Sequence, residues 1–200
     1  MRAAFPEAVS DAVQPGWEEA WKRFHRPVRI GPLWVGPPWE RPGPGALSIV
    51  IEPGRAFGTG AHATTRLCLE FLLEMERGSV ADLGCGSGVL AIAAARLGFA
   101  PVVAVDSDPA AVAAARANAR ANRVAVEVRR ADVLADPSPP ANIAVANIAQ
   151  DAVELLALRV RARTLVTSGY LAVDVPALAG WRHRERKGMD GWAADRFEAS

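Results

Sequence analysis

Three glycines at alternating positions stand where a short apolar stretch meets a helix-like one, in the segment SVADLGCGSGVLAIAAARLG. They are Gly84, Gly86 and Gly88, and the acidic residue Asp82 comes just before them. Glycines allow backbone N–H groups to approach a ligand closely, since they carry no Cβ atom. The arrangement predicts a ligand-binding turn, and a tight strand-to-helix connection without a ligand is the alternative.

Asp82 indicates what kind of ligand this turn binds. A dinucleotide fingerprint would place its third glycine at Val89, and its pyrophosphate binds helix-terminal N–H groups away from carboxylates. A carboxylate instead attracts a ligand that carries an ammonium group and a sulfonium charge. S-adenosylmethionine is such a ligand, so we predict that Asp82 and the three glycines help to bind this cofactor rather than a nicotinamide dinucleotide.

Two further acidic residues follow the next strands. Asp106 ends the strand PVVAVD, where a carboxylate can accept hydrogen bonds from both ribose hydroxyls of a bound nucleoside. Asp108 and Pro109 then have the order of a helix N-cap and a first helical residue. Asp132 follows the third strand and could meet an adenine amino group, with a solvated loop acid as an equal alternative.

An amide and a glycine-rich loop complete the candidate site. Asn147 ends the fourth strand in VANIAQ, and ligands bind at the carboxyl ends of parallel strands. Its side-chain oxygen can accept a hydrogen bond from an amine substrate, so we assign it a catalytic role, with helix capping as the alternative. The loop IEPGRAFGTGAHATT carries Thr65 as a candidate cofactor ligand, while His62 is interpreted as a helix-start residue rather than a general base.

The elements that must position these residues predict an α/β fold. Five short apolar strands, SVADL, PVVAV, VAVEV, NIAVAN and TLVTS, alternate with helical stretches. Such alternation implies right-handed crossovers and a mostly parallel sheet. The chain ends in WRHRERK and GWAADRF, which we interpret as an antiparallel hairpin with its turn at residues 188–191.

The first 45 residues have a different composition, with eight of the fifteen prolines and four of the six tryptophans. We therefore divide the chain into a Trp- and Pro-rich leader, residues 1–45, and a cofactor-binding domain, residues 46–200. Within the leader, Trp17, Trp21 and Phe24 have the spacing of one face of a short helix.

Composition excludes several classes of protein. A total of 23 Lys and Arg against 22 Asp and Glu gives a net charge of +1, which offers no general attraction for nucleic acid. Two cysteines, Cys68 and Cys85, are too few for a disulfide scaffold, and the three histidines show no zinc-ligand spacing. No apolar run reaches the ~20 residues of a membrane helix. We expect a cytoplasmic protein with no metal site.

Four motifs in a fixed order resemble those of one family. IEPGRAFGTGAHATT, DLGCGSGVLAIAAARLG, AVDSDPAAV and VANI are similar to motifs of the bacterial methyltransferases that act on large-subunit ribosomal protein eleven. The segment WEEAWKRFHRPVRIGPLWVGPPWE resembles the segment that joins the two domains of those enzymes. The likeness covers roughly residues 17–170.

The resemblance implies a class I (Rossmann-like) seven-stranded methyltransferase sheet, mostly parallel with a C-terminal antiparallel hairpin. It implies an S-adenosylmethionine-dependent N-methyltransferase acting on protein amines. The family's cofactor and transfer positions fall on Thr65, Gly84, Asp106 and Asn147. Because the likeness begins at the interdomain segment, we expect the family's N-terminal substrate-recognition domain to be absent from this chain.

The expected partner is a ribosomal protein or another lysine-bearing protein, which we expect to contact Trp34 and Trp39 in the leader. Two alternatives stay open. One is a methyltransferase for another protein lysine, of the type that acts on the electron transfer flavoprotein beta subunit. The other is a cofactor-binding or interaction module without catalysis. Direct binding of nucleic acid is not expected, because VANI differs from the Pro-Pro-aromatic motif of base-modifying amino methyltransferases.

Overall fold

The computed structural model describes residues 25–54, residue 58 and residues 60–200. These residues form ten strands and four helices. In chain order they are β1 Val28–Ile30, β2 Leu33–Gly36, β3 Leu47–Val50, α1 Ala63–Glu74, β4 Val80–Leu83, α2 Val89–Arg96, β5 Val102–Asp106, α3 Pro109–Ala121, β6 Glu127–Arg130, β7 Ile143–Asn147, α4 Gln150–Ala157, β8 Thr164–Leu171, β9 Trp181–Met189 and β10 Trp192–Ala199. The helix predicted around Trp17 and Trp21 lies outside the described residues.

Seven strands form one sheet in the order β6-β5-β4-β7-β8-β10-β9. The first five are mutually parallel, whereas β10 pairs antiparallel with both β8 and β9. The sheet order reverses direction at β4, so the carboxyl ends of β4, β5 and β7 lie side by side at the switch point where α/β proteins bind ligands. The predicted α/β class, the mostly parallel seven-stranded sheet and the terminal hairpin are confirmed.

The sheet is buried on both faces because its central strands are apolar throughout, as in other parallel sheets covered by helices. All four residues of β4 are buried. One apolar layer contains residues of α1, α2 and α3, among them Phe71, Ile92 and Val112. The other contains Val153 and Leu156 of α4 together with hairpin residues.

A small second sheet lies before α1. In it β1 pairs antiparallel with β2, and β2 pairs parallel with β3, so hydrogen bonds cross the predicted boundary at residue 45. The division at that residue stays a prediction. Trp34 of β2 is only 7% exposed. The expectation that it offers contact surface for a partner is therefore wrong, since its side chain is buried with the ring beside Gly36. Trp39 is half-buried.

Two buried asparagines, Asn118 in α3 and Asn122 at its C-cap, join the small sheet to the main domain. Asn122 accepts a hydrogen bond from Val50 N at 2.8 Å and donates to Val50 O at 2.6 Å, as a neighbouring strand would. One turn earlier, Asn118 accepts from Glu52 N at 3.2 Å and donates to Ser87 O at 2.9 Å. The two amides thus hold the end of β3 and the turn before α2 against the same helix end.

Removing the Asn122 amide tests this connection. In Asn122→Ala the N–H and C=O groups of Val50 lose their partner, and we expect the free energy of unfolding to fall by about 2–4 kcal/mol. Urea denaturation measures the change. Arg120→Ala, an exposed position on the same helix, is the matched control and is expected to change stability little. Equal stability of the two variants would contradict the role given to Asn122.

Candidate active site

The glycine turn between β4 and α2 is held by the neighbouring strand β5. The amides of Gly84 and Cys85 both donate to Val105 O, at 2.9 and 3.0 Å. The amide of Gly86 donates to Asp106 Oδ2 at 2.9 Å. Gly84 has a φ of +79°, which a residue with a Cβ rarely adopts, and a Cβ there would lie 2.6 Å from Ile148. The turn therefore requires glycine at position 84 for both conformation and space.

Asp82 lies beneath this turn with its carboxyl group buried. Its Oδ2 accepts a hydrogen bond from Ala91 N in α2 at 3.0 Å. Burial, partly offset by this hydrogen bond and reinforced by the charge of Asp106, raises the pKa of Asp82 to about 7. A carboxyl group balanced between its two forms at neutral pH is stabilised as a carboxylate by any cation that binds beside it.

A cavity of about 330 Å³ opens at the carboxyl edge of the sheet beside this turn. We call it the first cavity. Every predicted cofactor residue except Gly88 lines it, namely Thr65, Asp82, Gly84, Gly86, Asp106, Asp132 and Asn147. The structure thus brings together side chains from the ends of four different strands and from the start of α1.

Gly88 lies outside this lining. It precedes α2 with a φ of +82°, and a Cβ there would approach the Cβ of Ala115 in α3 at 3.0 Å. The structural need for glycine at this position is therefore the close packing of α2 against α3. A role of Gly88 in binding the cofactor stays a prediction.

The two acidic residues at the rim of the first cavity are fixed by short backbone contacts. Asp106 is half-buried. Its Oδ1 accepts a hydrogen bond from Asp108 N at 3.0 Å, and its Oδ2 accepts the one from Gly86 N. Each carboxylate oxygen has room for a second donor. Asp132 accepts from Leu134 N at 2.9 Å. Asp108 caps α3, as predicted, by accepting from Ala110 N at 2.8 Å.

Asn147 contains the most informative atom of the site. Its Nδ2 donates to Thr65 Oγ1 at 3.3 Å, which fixes the orientation of the amide. Its Oδ1 is buried and has no hydrogen-bond partner. A buried acceptor without a partner costs about 1–3 kcal/mol, so it marks a position where an external donor would bind favourably.

A second cavity of about 340 Å³ adjoins the first and shares Asn147 and Ile148 with it. Its other lining residues are His62, Thr64, Ala149, Gly169 and Trp192. The His62 and Trp192 rings meet edge to face with centroids 4.8 Å apart. His62 is the N-cap of α1, as predicted, and its Nδ1 lies 2.8 Å from Thr64 Oγ1.

Trp192 and Gly169 were not predicted as site residues. Gly169 of β8 lies beside Asn147 through the parallel pairing of β8 with β7, and Trp192 of β10 through the antiparallel pairing of β10 with β8. No local motif carries this information. A tryptophan placed directly after the hairpin turn Asp190–Gly191 is the one signal that could have indicated an exposed aromatic group at the carboxyl edge.

The donor set suits a nucleoside with a cationic side chain. Asp106 supplies a carboxylate at the strand end, Asp82 supplies a buried acid, and the glycine turn leaves the backbone accessible. Cys85 also lines the cavity, but burial and the charges of Asp82 and Asp106 raise the pKa of its thiol. It remains an inert thiol rather than a nucleophile.

Fold and site together define a Rossmann-like α/β protein with a nucleoside-type cavity at the switch point of its sheet. Within the described residues, no group of three His, Cys, Asp or Glu side chains has the arrangement of a metal site. In the same part of the chain, every helix is too short or too polar to span a membrane.

Comparison with known proteins identifies the family. The sequence model of the family "Ribosomal protein L11 methyltransferase (PrmA)" matches residues 5–174. The ribosomal protein L11 methyltransferase of Dechloromonas aromatica is 44% identical over 75% of this chain and 51% of its own length. That of Symbiobacterium thermophilum is 52% identical over 66% of this chain and 45% of its own length. The crystal structure of the ribosomal protein L11 methylase from Lactobacillus delbrueckii subsp. bulgaricus superposes with a TM-score of 0.81, at 27% identity over 88% of this chain and all of that one.

The chain therefore belongs to the ribosomal protein L11 methyltransferase family, and the predicted resemblance is confirmed. It spans about half the length of the curated relatives that match it. A methyltransferase family implies a methyl donor as cosubstrate.

The buried carboxyl group of Asp82 predicts a specific pH dependence in the unliganded protein. Because its pKa rises from an ordinary 3.8 to about 7 on folding, its contribution to stability is fully present below pH 4 and is lost as the pH rises through 7. In Asp82→Asn the amide oxygen can still accept from Ala91 N but cannot ionise. Between pH 4 and pH 8 we expect wild type to lose about 4 kcal/mol of stability relative to this variant.

Urea denaturation across this pH range measures the difference between the two proteins. Asp190→Asn, in the exposed turn between β9 and β10, is the control and is expected to parallel wild type. A difference between wild type and Asp82→Asn that does not change with pH would contradict the account.

Proposed function

We propose that this chain transfers a methyl group from S-adenosylmethionine to an amine nitrogen of a protein, and that ribosomal protein L11 is its substrate. The observation that carries the proposal is the unpartnered Oδ1 of Asn147 at the boundary between two adjoining cavities. One cavity suits a nucleoside and the other suits an aliphatic side chain. The choice of ribosomal protein L11 as the substrate is supported by the names of the relatives, which are ribosomal protein L11 methyltransferases.

The first cavity would hold the cofactor through residues whose chemistry matches its parts. Asp106 would accept hydrogen bonds from the ribose hydroxyls. Asp132 lines the same cavity and would accept a hydrogen bond from the adenine amino group. Asp82 would oppose the cationic portion, and Gly84 and Gly86 would allow close approach of the backbone. When bound, S-adenosylmethionine supplies a methyl group on a positively charged sulfur, which is a good leaving group.

The second cavity would receive the amine. Its Trp192, Ile148 and Ala149 groups would displace water around the nitrogen, and desolvation disfavours the charged form of an amine. This matters because an ε-amino group has an ordinary pKa of about 10.4, and only its neutral form has the lone pair that attacks carbon. Asn147 Oδ1 would accept one N–H and so direct the lone pair toward the first cavity. Positioning of this kind is the main catalytic task that remains for the protein.

Asn147 thus has the catalytic role in the proposal. Thr65 acts through Asn147, because its hydroxyl oxygen fixes the orientation of the amide. Methylation of another protein lysine and a non-catalytic binding role are not proposed, because the relatives are named L11 methyltransferases. Ribosomal proteins are made in the cytoplasm, so we propose that compartment for this chain.

Methyl transfer to purified ribosomal protein L11 tests the proposal. With S-adenosylmethionine, mass spectrometry of L11 is expected to show added methyl groups. In Asn147→Ala the amine loses its acceptor, and we expect the single-turnover rate to fall about a hundredfold while cofactor affinity changes much less. Gln150→Ala is the matched control, because the Gln150 amide donates instead to Glu154 at 3.1 Å.

Two results would contradict the proposal. One is the absence of methyl transfer from a wild-type chain that binds S-adenosylmethionine. The other is an unchanged transfer rate in Asn147→Ala, which would remove the amide from the reaction.

A further inference from the structure

An exposed apolar ridge follows β8. It consists of Leu171, Val173 and Val175, whose exposed fractions are 47%, 83% and 68%. These three belong to the seven large hydrophobic residues that are exposed in the described part of the chain. A single exposed valine is ordinary, but three aliphatic side chains within five residues form a patch of the kind that marks an interaction site.

The backbone of the ridge is bonded to a half-buried arginine that pairs with a buried aspartate. Arg186 of β9 donates to Ala172 O at 3.2 Å and also to Asp174 O. The same guanidinium group lies 3.1 Å from the carboxylate of Asp195, which is buried in the sheet. Asp195 also accepts from the Tyr170 hydroxyl at 2.8 Å. The backbone carbonyls on either side of Val173 are therefore held in place by Arg186.

The ridge is continuous with the second cavity. Leu171 lies directly opposite Trp192 in the antiparallel pair of β8 and β10, and opposite residues have their side chains on the same face at about 5 Å between Cβ atoms. The amide of Ala172 donates to Gly191 O at 2.8 Å, which fixes the ridge beside the hairpin turn. Trp192 itself lines the second cavity. The first residue of the ridge thus lies next to a residue that lines the second cavity.

We propose that the apolar ridge binds the segment of the protein substrate next to the reacting lysine, and that this segment carries aliphatic side chains. The inference rests on the proposed function, since it takes the second cavity as the site of the amine. A lysine side chain that reaches Asn147 brings its neighbours in sequence to the mouth of the cavity, where Leu171 lies. Val173 and Val175 follow Leu171 within four residues and are more exposed than it is, so they are available to the same segment. The ridge therefore selects among lysines by the side chains beside them.

The test uses two fluorescein-labelled peptides of equal length and charge with one central lysine. In one peptide the lysine is flanked by valine and leucine, and in the other by serine and glutamine. Each is titrated by fluorescence anisotropy into the chain loaded with S-adenosylhomocysteine. We expect wild type to bind the apolar-flanked peptide about tenfold more tightly, from burial of a few aliphatic groups. The double variant Val173→Ser/Val175→Ser is expected to bind the two peptides equally.

The control is Leu158→Ser, which removes an aliphatic side chain with the same 68% exposure as Val175. Leu158 follows the end of α4, at the edge of the sheet opposite to the cavities. It is expected to keep the wild-type preference. Because both ridge valines are exposed, the double variant should remain folded, and unchanged affinity for S-adenosylmethionine verifies this.

Three results would overturn the inference: wild type that binds neither peptide or both equally, a double variant that keeps the preference, and a ridge that instead joins two copies of this chain. Sedimentation of wild type and double variant detects the last case as a change from dimer to monomer. Methyl transfer is measured separately with S-adenosylmethionine. A ridge-dependent preference together with no transfer to ribosomal protein L11 would contradict the proposed function and leave the docking surface supported.

Discussion

The glycine turn after β4 depends on two carboxylates at the ends of adjacent strands. Asp82 accepts a hydrogen bond from Ala91 N in the first turn of α2, and Asp106 accepts one from the amide of Gly86. Neither acid has a cationic partner among these contacts, so two negative groups converge on one cavity. Such convergence is unfavourable in a folded protein unless one group stays protonated or a cation binds. Burial first, and then the nearby charge of Asp106, raise the pKa of Asp82 to about 7.

The site thus contains two unfavourable features that a ligand can relieve. A cationic group near Asp82 would stabilise its ionised form, and an N–H donor near Asn147 would satisfy a buried oxygen. The two features lie in adjoining cavities that share Asn147. A protein that brings a sulfonium methyl donor and an amine together needs this arrangement, because its main work is to align the two reactants and exclude water. The hydrogen bonds from Arg186 to Ala172 O and Asp174 O would have a similar effect in the binding proposed for the apolar ridge, since a surface that is already ordered loses less entropy on binding.

Much of this arrangement could be predicted from sequence because it lies in local motifs. The turn around Gly84, the acid at Asp106 and the amide at Asn147 each follow a strand, and parallel strands bring their carboxyl ends together. Gly88 shows the limit of such motifs, since the packing need at this position comes from Ala115 on another helix. Trp34 and Trp192 show that the surroundings of a tryptophan side chain depend on how its strand is packed and paired with others. The first is buried with its ring beside Gly36, and the second reaches the site only through the register of β10 on β8.

The central claim is that the first cavity binds the methyl donor with its sulfur facing Asn147. A crystal structure of the chain with S-adenosylhomocysteine tests it directly, because this product has the nucleoside and the sulfur of the cofactor but no methyl group. We expect both ribose hydroxyls to donate to Asp106 and the sulfur to lie on the side of the first cavity that carries Asn147, the residue it shares with the second cavity. A nucleoside bound elsewhere, or one whose ribose makes no contact with Asp106, would contradict the account.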